Sequence, residues 1–446
     1  MNKLASIFWW ATVPFLVLAA CKIKNESTHS TKFPSVNPAL PQCQTPFESF
    51  EVEADKGGTI SLPNGTVINI PAHSFKNADG SLVKGLVTIK YREFHKGADI
   101  VASGIPMIFK KEGKVEYFES AGMFEMRGMA SGKNIDIADD KSIEVQMASF
   151  KEGNDFEFYF FDENQSEWQT RGIADPVTNV KKWEALKTLE QVKKPMVPAE
   201  VDKKSPVYDL SFDENKNPEL ASFRNVLWQY AGTDPINDPS NNAWVFEGSW
   251  DEYKMTCTDP ETPVFELYVK SKNKSFSTSI KPVLTGENAK KGRSVFNKMM
   301  KEYNNAVEGK KKAQIQSDIL RVFTVQKMGL YNWDRLSKMP SSMLISADFT
   351  IEGEQFTAPV YLINGANKDV VTIYPGVSNT FYLNPKIKNV LLTILPSGIA
   401  AVFSAKQFDE ISVSGVKKTK NFRFNLNRLP AKLDSPDDIS SLINSL

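Results

Sequence analysis

The stretch Leu86–Phe94 reads Leu-Val-Thr-Ile-Lys-Tyr-Arg-Glu-Phe, so Val87, Ile89 and Tyr91 alternate with Thr88, Lys90 and Arg92. Alternation sends successive side chains to opposite faces of a strand, and such a run buries its apolar face only against another layer. Shorter runs of the same kind, bounded by turn residues, recur at 59–62, 67–70, 105–109, 115–118, 122–126, 143–148 and 156–161. Asn64-Gly65 supplies the pair that a tight type I′ hairpin requires, Pro71 ends the pairing, and Asp79-Gly80 marks the next turn. Regularly spaced short strands predict a mainly β protein of antiparallel β-sandwich modules, immunoglobulin-like at the N-terminal end, with one or two packed helices in the C-terminal half.

The first twenty residues do not belong to that pattern. Lys3 is followed by an uncharged apolar run from Leu4 to Ala20, interrupted by Pro14 and ending in small residues before Cys21. This reads as a secretory signal rather than a membrane span. Leu18-Ala19-Ala20-Cys21 resembles the lipobox of bacterial lipoproteins. The resemblance implies cleavage between Ala20 and Cys21, an acylated Cys21 at the mature N-terminus, and attachment to a membrane by several buried acyl chains. From Lys22 to about Phe47 the chain is polar, with Pro34, Pro38, Pro41 and Pro46 opposing helix and regular sheet, as a tether requires. The expected location is the cell envelope, on the outer rather than the inner membrane. Surface-exported lipoproteins of the Bacteroidetes group often carry acidic residues directly after the cysteine; Lys22-Ile23-Lys24 does not resemble them, which implies the periplasmic face.

Gly57-Gly58-Thr59-Ile60-Ser61-Leu62-Pro63-Asn64-Gly65-Thr66 and Ile70-Pro71-Ala72 resemble the opening of ZU5-type domains. Glu119–Phe124 and Tyr159–Phe161 are similar to stretches of Bacteroidetes lipoproteins that begin with a ZU5-like module. The resemblance implies an interaction module over about 50–172. The His-hydrophobic-Ser/Thr triplet at which some relatives cleave themselves has no counterpart, since His73-Ser74-Phe75 has the wrong order and position.

The chain thus divides into a signal peptide at 1–20, a tether at 21–47 and a ZU5-like sandwich at 48–172. A helical and Pro/Lys-rich linker follows at 173–206, then a second β unit at 207–285, an amphipathic helix at 286–312, a C-terminal β unit at 313–416 and a polar tail at 417–446. Val180, Trp183, Leu186, Leu189 and Val192 have helical spacing, as do Val295, Phe296, Met299, Met300, Tyr303 and Val307. Strands are expected at 223–230 and 244–246 in the second β unit. The tail is expected to be less ordered, with a weak terminal helix at 439–446.

Composition restricts the chemistry. Lys and Arg number 54 against 53 Asp and Glu, a net charge of +1, so no field gathers nucleic acid. Three histidines, with no His-x-x-x-His or Cys-x-x-Cys spacing, predict no metal site and no cofactor. Hydrolase elbow, P-loop and dinucleotide fingerprints are absent from the sequence. The carboxylate pairs Glu116/Glu119 and Asp251/Glu252 read as solvated strand residues, and Met123, Met126 and Met129 cannot share one strand face. Once Cys21 is acylated, Cys43 and Cys257 are either a disulfide pair or two independent thiols. Trp244, Trp250 and Trp333, beside Asn, Asp and Arg, are candidate glycan contacts or sandwich-rim packing. The expected function is a non-catalytic protein-interaction or structural scaffold with an envelope protein partner. The alternatives are a glycan-binding lipoprotein and an unrecognised hydrolase.

Overall fold

The computed structural model describes residues 36–446 apart from 112–113, 174, 214, 248, 260–262, 337–343, 365–370, 375–378, 383–387 and 412–420. The protein is mainly β, and four sheets carry it. The longest path through the nine-stranded sheet runs Glu48–Glu53, Leu86–Phe94, Lys114–Ala130, Gly329–Leu336, Glu157–Asp162, Glu167–Ile173. A five-stranded sheet runs Pro176–Thr178, Ile319–Val325, Ile143–Ser149, Val67–Ile70, Gly58–Ser61. Their facing side chains, among them Val87, Ile89, Tyr91, Ile68, Val145, Phe323 and Trp333, form one core, so the two sheets are a β-sandwich.

Two of these strands come from far along the chain. Ile319–Val325 pairs with Ile143–Ser149, and Gly329–Leu336 lies between Lys114–Ala130 and Glu157–Asp162. A unit ending at 172 and a separate one beginning at 313 therefore do not describe the sheets. Gly329–Asp334 is buried at every position, so it needs neighbours at both edges and layers on both faces. A central place in the nine-stranded sheet meets that need.

Five helices are described: α1 (Gly97–Ser103), α2 (Val180–Glu190), α3 (Ala289–Gln314), α4 (Ala405–Asp409) and α5 (Pro436–Ser445). A second core lies on the outer face of the nine-stranded sheet, where Phe118, Tyr159 and Trp168 meet α1, α5 and the C-terminal sheet residues Tyr361, Leu392 and Val402. That eight-stranded C-terminal sheet includes Phe422–Lys432, which pairs in parallel with Leu344–Ile351. The less ordered tail expected at 417–446 is thereby corrected, whereas the terminal helix expected at 439–446 forms, as α5. Phe424 and Leu426 are fully buried between polar Arg423, Asn425 and Asn427, and Ile439 and Ile443 of α5 are buried too.

Residues 207–283 form their own five-stranded sheet around Trp228, Phe265, Leu267 and Ile280. The strand expected at 223–230 is a 3-10 helix, Pro218–Phe223, followed by Leu227–Tyr230, with Asn225 at φ +59° breaking the run. The strand expected at 244–246 is likewise a 3-10 turn, Ala243–Phe246, after two Asp-Pro turns. Helix α3 sits close to this unit because Gly292 has no side chain. A Cβ there would lie 2.7 Å from Leu284 and 2.9 Å from the Asn225 carbonyl.

The 58–70 hairpin also differs in detail. Only Gly65 has positive φ, +102°, while Gly65 N donates to Leu62 O and Leu62 N to Thr66 O. This is a three-residue loop with Pro63 leading the turn, rather than a type I′ pair.

Candidate functional site

Ala20 and Cys21 lie outside the described residues. Cys43 and Cys257 are not bonded to each other. Cys43 is fully buried in the core with α1 and α5, whereas Cys257 packs in the 207–283 unit with its sulfur 3.9 Å from that of Met196. Commitment to separate cores keeps the two side chains from bridging. Burial pushes the Cys43 thiol up, assisted by Asp438 and Asp434.

The candidate glycan contacts do not share a face. Trp333 is fully buried in the first sandwich, and the indoles of Trp244 and Trp250 are half-buried against the second unit's core. Trp250 Nε1 donates to Val245 O at 2.9 Å. Glu119 is paired with Arg335 at 2.9 Å. Met123 and Met126 are fully buried in different cores, on opposite faces of their strand.

Three polar groups are buried in the first sandwich or against the outer face of its larger sheet. Glu93 accepts from Thr66 Oγ1 at 2.6 Å and Tyr91 OH at 2.8 Å, lies 2.6 Å from His95 Nε2, and also accepts from Asn64 Nδ2. Burial pushes this carboxyl up, but His95 and the two hydroxyl donors outweigh burial and hold it below its ordinary range. The cluster fastens the 62–66 loop of one sheet to the Leu86–Phe94 strand of the other. Arg321 donates through Nε to Ser149 Oγ at 3.1 Å and through Nη2 to the carbonyls of Lys151 and Gly153 at 3.0 Å. Its guanidinium lies over Phe156 and Trp333, and burial pushes it down to about 10. Asp334 is fully buried and accepts from Asn332, which in turn accepts from Ser120 Oγ at 2.8 Å. Each group joins one segment to another, which is a locking role.

The open feature is the mouth between the two sheets at the end nearest Glu167–Ile173. It encloses about 340 Å³ and is walled by Phe158, Phe323, Tyr331 and Trp333, with Arg171 and Lys327 at its rim. Phe158 stacks on Phe323 at 3.9 Å between centroids and on Tyr331 at 5.3 Å, so the rings of the wall pack on one another. On one side of the mouth runs Ile319–Val325. Its inner edge is paired throughout with Ile143–Ser149, but its outer edge is covered only at Ile319–Arg321, by Pro176–Thr178. Pro176 has no N–H to extend the ladder and stands where the chain crosses from the other sheet. Among the described residues, no strand pairs with the outer edge of Val322–Val325.

Proteins usually protect such edges with charge. At the opposite mouth the edge strand Glu48–Glu53 does so, carrying Glu48, Glu51 and Glu53 beside a larger cleft of about 630 Å³. Val322, Phe323, Thr324 and Val325 carry no charge, and Ile173 beside them is 68% exposed. Nothing in the sequence alone identifies this edge, because an edge exists only once the neighbours of Ile319–Val325 are known. The uncharged Val-Phe-Thr-Val run was its one visible sign. Comparison of the chain with protein-family models, curated proteins and solved structures finds no match.

Proposed function

We propose that the chain is a lipid-anchored envelope protein, held by Cys21, that acts as a non-catalytic scaffold and binds another protein at the Val322–Val325 edge. The observation that carries this reading is the contrast between the sandwich's two mouths. At one mouth an uncharged edge, Gly58–Ser61, faces the glutamate-bearing strand Glu48–Glu53, while at the other the uncharged, unpaired Val322–Val325 is backed by an aromatic wall. An unpaired edge offers main-chain donors and acceptors to an incoming strand, and a pocket beside it selects side chains. The resemblance to ZU5 modules points the same way. The anchor rests on the lipobox-like Leu18–Cys21. The glycan alternative keeps only Trp244 and Trp250, both half-buried, and the hydrolase alternative has no observation in its favour.

The test places a photo-crosslinking residue at Thr324, or at Glu51 as control, in the full-length protein in its own envelope. Adducts with another protein from Thr324 and none from Glu51 are expected. No adduct at Thr324, or equal adducts at both positions, contradicts the reading.

A further inference from the structure

We infer that the occupant of the Val322–Val325 edge is an extended segment of another protein in which acidic residues flank a large apolar side chain. The inference rests on the scaffold reading above and specifies its partner.

The backbone sets the geometry. A strand added outside Val322–Val325 continues the row begun by Pro176–Thr178, which pairs antiparallel with Ile319–Arg321. Side chains of an added strand alternate between two faces. Phe323 and Val325 are buried toward the core, whereas Val322 is half-buried and Thr324 exposed. Guest side chains level with Phe323 and Val325 therefore point into the mouth toward Phe323 and Tyr331, while Trp333 stays fully buried. That wall takes an aliphatic or aromatic side chain, since its rings are already stacked on one another and offer apolar surface.

Charge sets the flanks. Among the described residues, the only charged side chains lining the mouth are Arg171 and Lys327. Arg171 lies over Phe160 at 5.2 Å and donates to Gln169 at 3.0 Å, so its charge meets a ring and an amide but no carboxylate. Asp136, behind Tyr331, is engaged by the N–H groups of Met328 at 2.7 Å and Ile137 at 2.8 Å. A cationic rim around an apolar mouth favours a guest with carboxylates on both sides of its anchor.

The same charges disfavour two nearer occupants. Residues 22–35 of this chain carry Lys22, Lys24 and Lys32 against Glu26, the wrong sign for the rim. A second copy joined edge to edge about a two-fold axis would bring Arg171 and Lys327 against their own counterparts.

The test is fluorescence anisotropy on the mature chain with three short peptides. The first alternates glutamate with valine around one phenylalanine, the second has lysine for glutamate, and the third is the first with alternate amides N-methylated. The acidic peptide is expected to bind. The lysine version should bind roughly fivefold or more weakly, from two exposed charge pairs. N-methylation should weaken binding roughly tenfold or more, through lost ladder hydrogen bonds. Arg171→Glu with Lys327→Glu, both near the surface, should reverse the charge preference while circular dichroism stays unchanged. Equal binding of acidic and basic peptides, or no loss on N-methylation, overturns the inference. So does a dimer in ultracentrifugation that the acidic peptide fails to dissociate. If Thr324 crosslinks an envelope protein that the acidic peptide neither displaces nor mimics, the scaffold reading stands and the acidic occupant falls. Absence of any Thr324 adduct removes the scaffold reading itself.

Discussion

Replacing Trp333 by alanine separates a structural indole from a ligand platform. The side chain is fully buried, with its ring 5.1 Å from Phe158 and 5.5 Å from Phe323 between centroids. A buried aromatic removes about 150–250 Å² from water, worth roughly 4–6 kcal/mol at about 25 cal/mol per Å². The Arg321 guanidinium 5.7 Å from the ring adds a cation–π contribution of about 1 kcal/mol. Against this, Trp333 Nε1 has no hydrogen-bond partner among the described residues, and removing it relieves a cost of about 1–3 kcal/mol. A net loss of roughly 3–5 kcal/mol is expected for Trp333→Ala, and a change within about 1 kcal/mol for Trp333→Phe, which keeps a ring and deletes the N–H. Hydrogen exchange is the assay, read on peptides covering Ile143–Ser149 and Ile319–Val325, which line the same core. At about 1.4 kcal/mol per decade, exchange through sandwich opening should accelerate roughly a hundredfold to several thousandfold in the alanine variant. Acceleration below about threefold, no greater than for the 51%-exposed Trp183→Ala, would refute the packing argument.

Three further outcomes are expected. Burial holds the Asp334 carboxyl well above its ordinary range, only partly opposed by Ser120, so the folded chain keeps a proton that the unfolded chain loses. Stability therefore falls as pH rises above about 4. Asp334→Asn, whose amide oxygen can still accept from Asn332, should flatten that fall between urea midpoints at pH 4 and pH 7; an unchanged slope contradicts it. Limited proteolysis should cut first at 191–194, which is exposed, while 199–205 is pinned by Ala199 N to Pro282 O at 2.7 Å and by buried Gln229 bonded to Asp202 and Ser205. First cuts within Leu86–Phe94 would contradict the layering. Cys21→Ser should accumulate as an uncleaved precursor without lipid, and mass spectrometry finding an unmodified N-terminus at Lys22 or later in the wild-type protein would exclude the anchor.

Local pattern made much of the fold legible. Leu86–Phe94 forms as its alternation predicts, and α3 spans 289–314 where Val295 to Val307 have helical spacing. Two kinds of information were not local. Gly329–Leu336 reads from sequence as a candidate glycan contact or rim packing because Tyr331 and Trp333 sit among Asn, Asp and Arg. Asn332 and Asp334 are buried as well, facing the second core layer, so the run reads correctly only beside Lys114–Ala130 and Glu157–Asp162. Phe422–Lys432 was hidden by the lysines before it, although Phe424 and Leu426 alternate cleanly with polar neighbours. The candidate site was least legible of all. Its unguarded edge, its aromatic wall and its two cations come from four separated strands and one loop, brought together by pairing across more than a hundred residues.

Whether the open edge accepts a strand is read most directly by hydrogen exchange of the mature chain with and without the acidic peptide. Alternate amides of Val322–Val325 point away from Ile143–Ser149, and a guest strand should slow their exchange while leaving Glu48–Glu53 unchanged. Protection at Glu48–Glu53 instead, or none at Val322–Val325 under saturating peptide, would contradict strand addition at this mouth.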